Sequence, residues 1–234
     1  DKAVKESSAL FEKGFLGEIP HRQALQRAVG LFESIPRRRA QRRPKVAIFG
    51  DLYVRDNEVM NQDLIRHIER CGGEVVTTPY SDYLRIIAGA TFRKWLREGR
   101  YLAVARYRLL LALAERAQQR LLAGAGPYAE RVPVPRGESV EDDLGLFRVR
   151  LEHHGEAFDN ILKVRHLARR HPDLALFVQA SPAFCYPSLV TEAMARRIEE
   201  ATGVPVVTVT YDGTGALQND RIAPYLAEAA RRRG

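Results

Sequence analysis

The chain has 234 residues, a net charge of +8, 45% hydrophobic and 28% charged residues, and two cysteines. That length supports one large domain or two small ones with a sizeable core. With no apolar run of the ~18 residues needed to span a bilayer and no signal-peptide pattern at its start, a soluble, cytoplasmic protein without a membrane partner is expected.

Two thiols are too few for a secreted disulfide scaffold, and without histidine too few for a closed metal site. The charge invites nucleic acid or phosphorylated ligands, but only six of the 37 basic residues are lysine, and the arginine bias runs through the whole chain. Its densest run, Arg37-Arg38-Arg39-Ala40-Gln41-Arg42-Arg43, has no interleaved aromatic ring to stack on bases. It reads as a solvated connector, and nucleic acid is disfavoured. Asp1 in place of Met suggests a piece of a longer protein, in which further ligands would lie outside this segment.

Residues 1–43 set Leu10, Phe11, Ala24, Leu25, Ala28, Val29, Leu31 and Phe32 at helical spacing, broken by Gly14, Gly17 and Pro20. They form a helical lead-in and basic connector. Pro44–Asp51 is a short apolar run ending in Gly-Asp, a buried parallel strand. Asn57–Arg70 carries one apolar helical face and stops at Cys71-Gly72-Gly73, and Glu74–Pro79 is a second strand. Residues 82–123 are strongly helical and read as an insertion of two or three helices. Gly124–Gly137 is a Pro-rich loop.

Alternation then resumes. Ala157–Arg170 is a helix, Leu174–Ala180 a strand, Pro187–Thr202 a helix, Val204–Thr210 a strand and Ile222–Arg232 a closing helix. The expected fold over 44–234 is α/β, a flavodoxin-like doubly wound parallel sheet of about four strands carrying the insertion 82–123.

In such sheets a ligand sits outside the carboxyl ends of the strands, where strand order reverses. With the order 2-1-3-4 that crevice lies between the first and third strands. Its facing segments hold Gly50, Asp51, Tyr53 and Asn57 on one side, and Ser181, Pro182, Phe184 and Cys185 on the other. Asp212, Gly213, Asn219 and Arg221 follow the last strand. Cys185 stands just before a helix start, where the partial positive charge of the helix favours a thiolate, the form that ligates metals; a packed, inert thiol is the plainer alternative. Asp51 and Asp212 suit turn and helix caps equally well. Neither a Gly-x-Ser-x-Gly elbow nor a Gly-x-x-x-x-Gly-Lys loop occurs. Arg55 and Arg221 are candidates for holding phosphates, with surface solvation or ion pairing as the alternative.

Three ordered motifs carry a family resemblance. PKVAIFGDLYVRDNEVMNQDLIRHIERCGGEV, LALFVQASPAFCYPSLVTEAM and VPVVTVTYDGTGALQNDRIAPYL resemble segments of the acyl-CoA dehydratase activase-related proteins. These are relatives of 2-hydroxyglutaryl-CoA dehydratase and benzoyl-CoA reductase subunits. The likeness runs from about Pro44 to Leu226 and is weakest in the insertion. It implies an iron–sulfur, electron-transfer or 2-hydroxyacyl-CoA dehydratase-like (lyase) component of anaerobic acyl-CoA metabolism. Implied partners are other dehydratase-like subunits, an ATP-dependent activator and acyl-CoA, and a homo-oligomer is allowed. Cys185 matches the family's cysteine and becomes the candidate ligand to a four-iron, four-sulfur cluster. Asp51, Tyr53 and Asn57 match its first crevice loop, and Asp212, Asn219 and Arg221 its last. The family's further cysteines have no counterpart here, so a cluster would need ligands from elsewhere. The competing expectation is a cluster-free binding or scaffold module that uses the same crevice for a small anionic ligand or a partner protein.

Overall fold

The computed structural model describes residues 2–36, 42–77, 80–125, 145–149 and 156–231, with the backbone alone at 80–87 and 90. Its elements in chain order are α1 (Lys2–Phe15), α2 (His21–Glu33), β1 (Lys45–Gly50), a 3-10 turn (Val54–Asp56), α3 (Leu64–Arg70), β2 (Glu74–Val76), α4 (Tyr80–Arg97) and α5 (Tyr101–Leu122). There follow α6 (Glu156–Arg170), β3 (Leu174–Pro182), α7 (Tyr186–Ala193), α8 (Ala195–Thr202), β4 (Val206–Tyr211), a second 3-10 turn (Gln218–Ile222) and α9 (Ala223–Arg231). The chain divides into two compact units, Asp1–Gln41 with Phe92–Arg131, and Arg42–Thr91 with Val132–Gly234.

In the first unit α1 and α2 form a hairpin because small residues let them approach. Ala24 is fully buried, and a Cβ built on Gly14 would stand 3.5 Å from the Ala24 Cβ. Trp95 of α4 packs on Tyr107 of α5 at 5.2 Å between ring centroids, and the Arg100 guanidinium lies 5.0 Å above the Trp95 ring.

The second unit is the α/β body. Its four strands are all parallel and ordered β2-β1-β3-β4, as the sequence leads one to expect. Alternate side chains point to opposite faces of a strand, and here both faces are apolar. Ala47, Phe49 and Phe177 join Phe158, Ile161 and Leu167 of α6 and Ile198 of α8 in one core. Val46, Ile48, Leu176 and Val178 join Leu64 and Ile68 of α3 and Leu226 of α9 in the other. Phe49 and Phe177 meet edge to face at 5.9 Å, a geometry worth about 0.5–1.5 kcal/mol beyond burial. The sheet is therefore doubly wound, and the reversal of strand order falls between β1 and β3.

Some boundaries differ from expectation for local reasons. The helix expected from Asn57 begins only at Leu64, because the Asn57 carboxamide oxygen accepts the Val59 and Met60 N–H groups in a turn, and Gln62 and Asp63 are left-handed. The helix expected over 187–202 breaks at Met194 into α7 and α8. Over 82–123 two helices are found, as expected, with Gly99 at φ +73° between them. The Pro-rich loop lies, from residue 126 on, outside the described residues. Among the described residues no helix is long and apolar enough to cross a membrane.

Candidate functional site

The site begins where β1 ends. Gly50 has φ +113°, and a Cβ there would fall 2.3 Å from the Ala180 carbonyl oxygen, so only glycine lets the ends of β1 and β3 come this close. The next residue, Asp51, donates its N–H to the same Ala180 oxygen at 2.9 Å. Its Oδ1 accepts the Tyr53 and Val54 N–H groups at 2.9 and 2.8 Å, capping the 3-10 turn. Its Oδ2 faces the Cys185 thiol, 3.8 Å away.

Cys185 comes to that point from β3. After Pro182 the chain turns through Phe184, a left-handed residue at φ +63°, and Cys185 takes the N-cap position of α7. The Leu189 N–H donates to the Cys185 carbonyl at 3.0 Å, and proline occupies the first turn of the helix. The third arm comes from α6, whose first residue, Glu156, accepts the Leu52 N–H on Oε1 at 2.5 Å. Asp51, Glu156 and Cys185 are each half-buried, and one ligand atom from each lies within 4.8 Å of the others. Burial raises the Glu156 carboxyl above the ordinary range; the Leu52 hydrogen bond offsets this in part, and the neighbouring Asp51 adds to it.

Under this trio the body is polar where a parallel sheet is normally apolar. Asn160, one helical turn from Glu156, accepts the Gly50 N–H at 3.2 Å. Gln179 donates to the Ser188 carbonyl at 2.7 Å, and Lys163 pairs with Asp159 at 2.5 Å, all four residues buried. Among the described residues, Asn160 Nδ2, Asp159 Oδ1, Gln179 Oε1 and Ser188 Oγ are buried and find no hydrogen-bond partner.

The expected site residues divide into three groups. Gly50, Asp51 and Cys185 come together at the crevice. Ser181 is buried at the end of β3 beside a half-buried Pro182, while Tyr53 and Phe184 stand exposed on the rim. The others build loops. Asn57 holds a turn, and Asn219 is buried, its Oδ1 accepting the Tyr211 hydroxyl at 2.7 Å. Asp212 Oδ1 accepts the Thr214 N–H and hydroxyl, which hold its exposed carboxyl below the ordinary range, next to Gly213 at φ +77°. Arg221 is exposed. Arg55 is not available to a phosphate; it is 2% exposed, with Nε 3.1 Å from Asp56 Oδ2. Cys71 caps the C-terminus of α3 just before the edge strand β2, at the amino end of the sheet, whereas Cys185 follows the carboxyl end of the interior strand β3. The two thiols of one chain therefore cannot share a centre.

Sequence reading missed Glu156, Asp159, Asn160 and Lys163. The signal was there, since four polar residues at spacings of three and four on one helix are unusual over a buried sheet. What was lacking was the partner, because α6 meets the Gly50–Leu52 corner only after about a hundred intervening residues.

No family model matches this chain, and neither does a curated protein or a solved structure.

Proposed function

We propose that this chain is a dehydratase-like component of anaerobic acyl-CoA metabolism, an iron–sulfur or electron-transfer protein that acts with partner subunits and an ATP-dependent activator, with Cys185 as its ligand to the redox centre. The observation that carries the reading is the position of Cys185. It is a half-buried thiol at a helix start, at the reversal point of the sheet, with two carboxylates beside it. Such a group of anionic donors suits a cation, and it repels an anion at the same spot. The resemblance of the three motifs supports the acyl-CoA chemistry. Because Cys71 is remote, the other thiolates would come from another segment or chain. Exposed Tyr53, Phe184, Tyr186 and Leu189 around the crevice offer a surface on which it could dock.

The cluster-free alternative draws on one fact, that a single thiol reaches the crevice. In that case a small anionic ligand would be held on the Arg221 side, away from the carboxylates.

Iron and acid-labile sulfide per chain, measured after strictly anaerobic purification of wild type and Cys185→Ala, separate the two readings. Iron with sulfide that disappears in Cys185→Ala supports the redox component. Absence of both from wild type removes it and leaves the binding module. For the alternative, Arg221→Ala should weaken acyl-CoA binding in a titration, and unchanged affinity would withdraw that residue.

A further inference from the structure

We propose that Asp51, Glu156 and Cys185 form, within this one chain, a site for a single divalent transition-metal ion of the zinc or ferrous class, with the fourth position open. The inference takes Cys185 for a single ion in place of the cluster of the proposed function, and it does not rest on the acyl-CoA chemistry.

Three features of the geometry support it. The ligand atoms come from three separate elements, the ends of β1 and β3 and the start of α6, and still converge within 4.8 Å. Two carboxylate oxygens and one thiolate around a borderline ion, plus a solvent position, make a three-ligand open site. Secondly, each carboxylate is fixed by backbone N–H groups on one oxygen, Asp51 by Tyr53 and Val54 and Glu156 by Leu52, which leaves a second oxygen to a metal. Ligands held in this way lose little freedom when the ion binds.

The third feature points to a ligand independently of the trio. Asn160 is fully buried, and its Oδ1 is committed to the N–H of Gly50, the residue before Asp51, while its backbone sits one helical turn from Glu156. The Asn160 amide is thus anchored one residue from Asp51 and one helical turn from Glu156, and among the described residues its nitrogen has no acceptor. A buried amide N–H without a partner costs about 1–3 kcal/mol. A water or hydroxide in the fourth metal position would supply the missing acceptor. On metal binding the Cys185 thiol gives up its proton to solvent and the carboxylates bind as anions, so three negative donors face a 2+ ion in place of one another.

The test uses the whole chain, stripped of metal and titrated with Co2+ as a spectroscopic probe and then with Zn2+ in competition, for wild type, Cys185→Ser, Glu156→Gln and the control Cys71→Ser. Glu156→Gln keeps an acceptor for the Leu52 N–H, and thermal unfolding of each variant checks its fold. The expected result is one equivalent of Co2+ with thiolate-to-cobalt absorption, displaced by Zn2+. That absorption should be lost in Cys185→Ser, unchanged in Cys71→Ser, and the affinity should fall at least about tenfold in Glu156→Gln. No thiolate-to-cobalt band in wild type, or full affinity in a folded Glu156→Gln, overturns the site. Sulfide analysis of the anaerobic protein separates this from the cluster reading. Iron with stoichiometric sulfide that survives Glu156→Gln supports the cluster and rejects the single ion. One sulfide-free ion sensitive to both ligand variants supports the single ion and rejects the cluster. No bound metal under either condition rejects both.

Discussion

The Tyr211 hydroxyl at the end of β4 donates to Asn219 Oδ1 at 2.7 Å, and the Asn219 amide in turn donates to the carbonyls of Asn61 and Gln62, each at 2.9 Å. The last crevice loop is thereby tied to the first. Asn61 continues the chain of contacts, its amide donating to the Val54 and Arg55 carbonyls and its Oδ1 accepting the Leu64 N–H that opens α3. Asn219→Ala should cost about 2–4 kcal/mol, because it strands a buried phenol and two carbonyls together, and Tyr211→Phe about 1 kcal/mol. Urea unfolding followed by circular dichroism measures both. Equal, small losses would mean that the loops hold without this network.

Tyr211 also carries a pH signature. Burial keeps its phenol protonated far above the ordinary value of 10.0. A folded pKa above the unfolded one contributes stability that is complete below the unfolded value and declines as the pH rises past it. Wild type should therefore lose stability above about pH 10 more steeply than Tyr211→Phe. Parallel curves for the two proteins over that range would show that the phenol is not held neutral by the fold.

Asp159 and Lys163 are a buried ion pair four residues apart on α6, under the site. Desolvation is the largest influence on Asp159 and raises its carboxyl, with Lys163 and then Arg55 opposing it. The sign is opposite to that of an ordinary surface carboxylate. Stability from this group is greatest below the unfolded pKa, near 3.8, and is lost as the pH rises through the folded value. Asp159→Asn removes the carboxylate 2.5 Å from the buried Lys163 ammonium and should cost about 3–5 kcal/mol at neutral pH. The double variant Asp159→Asn/Lys163→Met should recover most of it. A double variant no more stable than the single would mean that the pair contributes net stability, against the usual balance for buried charges.

The fold was legible where one principle decides it. Apolar runs such as Val46–Phe49 and Leu176–Val178, set between helices, read as strands buried on both faces, and right-handed crossovers leave only a few doubly wound orders, of which the flavodoxin-like one is found. That Gly50, Asp51 and Cys185 come together was legible because that order determines which strand ends face one another. Asn219 was legible as a residue of note but not in its role, since a buried loop bridge and a ligand contact read alike in sequence. Glu156 was legible only as one of four polar residues on a helix face, not in its role. First-turn acids are favoured at any helix start by the macrodipole, and nothing local indicates that this one reaches the Leu52 N–H across the sheet. The same holds for Asp159 and Lys163, since an i, i+4 charge pair is as much at home on a solvent-facing side of a helix.

Gly50→Ala tests how much of the crevice depends on the close approach of β1 and β3. The substitution adds a Cβ 2.3 Å from the Ala180 oxygen at a φ of +113°. Strain of this kind costs on the order of 1–3 kcal/mol at a single residue, before any displacement of the strands. Loss of at least about 2 kcal/mol on urea unfolding is expected, together with weaker Co2+ binding, since Asp51 is the next residue. A stable variant with undiminished metal binding would show that the β1 end can shift without disturbing Asp51.

Phe184 presents the opposite case, a residue that costs stability where it stands. Its backbone is left-handed at φ +63° although it is not glycine, and the residue is 95% exposed, so among the described residues little packing offsets the strain. A left-handed conformation costs an L-residue roughly 1–2 kcal/mol, of which glycine's larger unfolded-state entropy takes part back. Phe184→Gly should therefore be neutral or stabilising by up to about 1 kcal/mol in the isolated chain. Strain next to a candidate ligand is most easily understood if the exposed ring serves an encounter the isolated chain does not make. The same variant should then weaken association with any partner that docks over Cys185, as read by ultracentrifugation of the purified complex. A Phe184→Gly protein that is less stable alone and unimpaired in association would assign the ring to the fold.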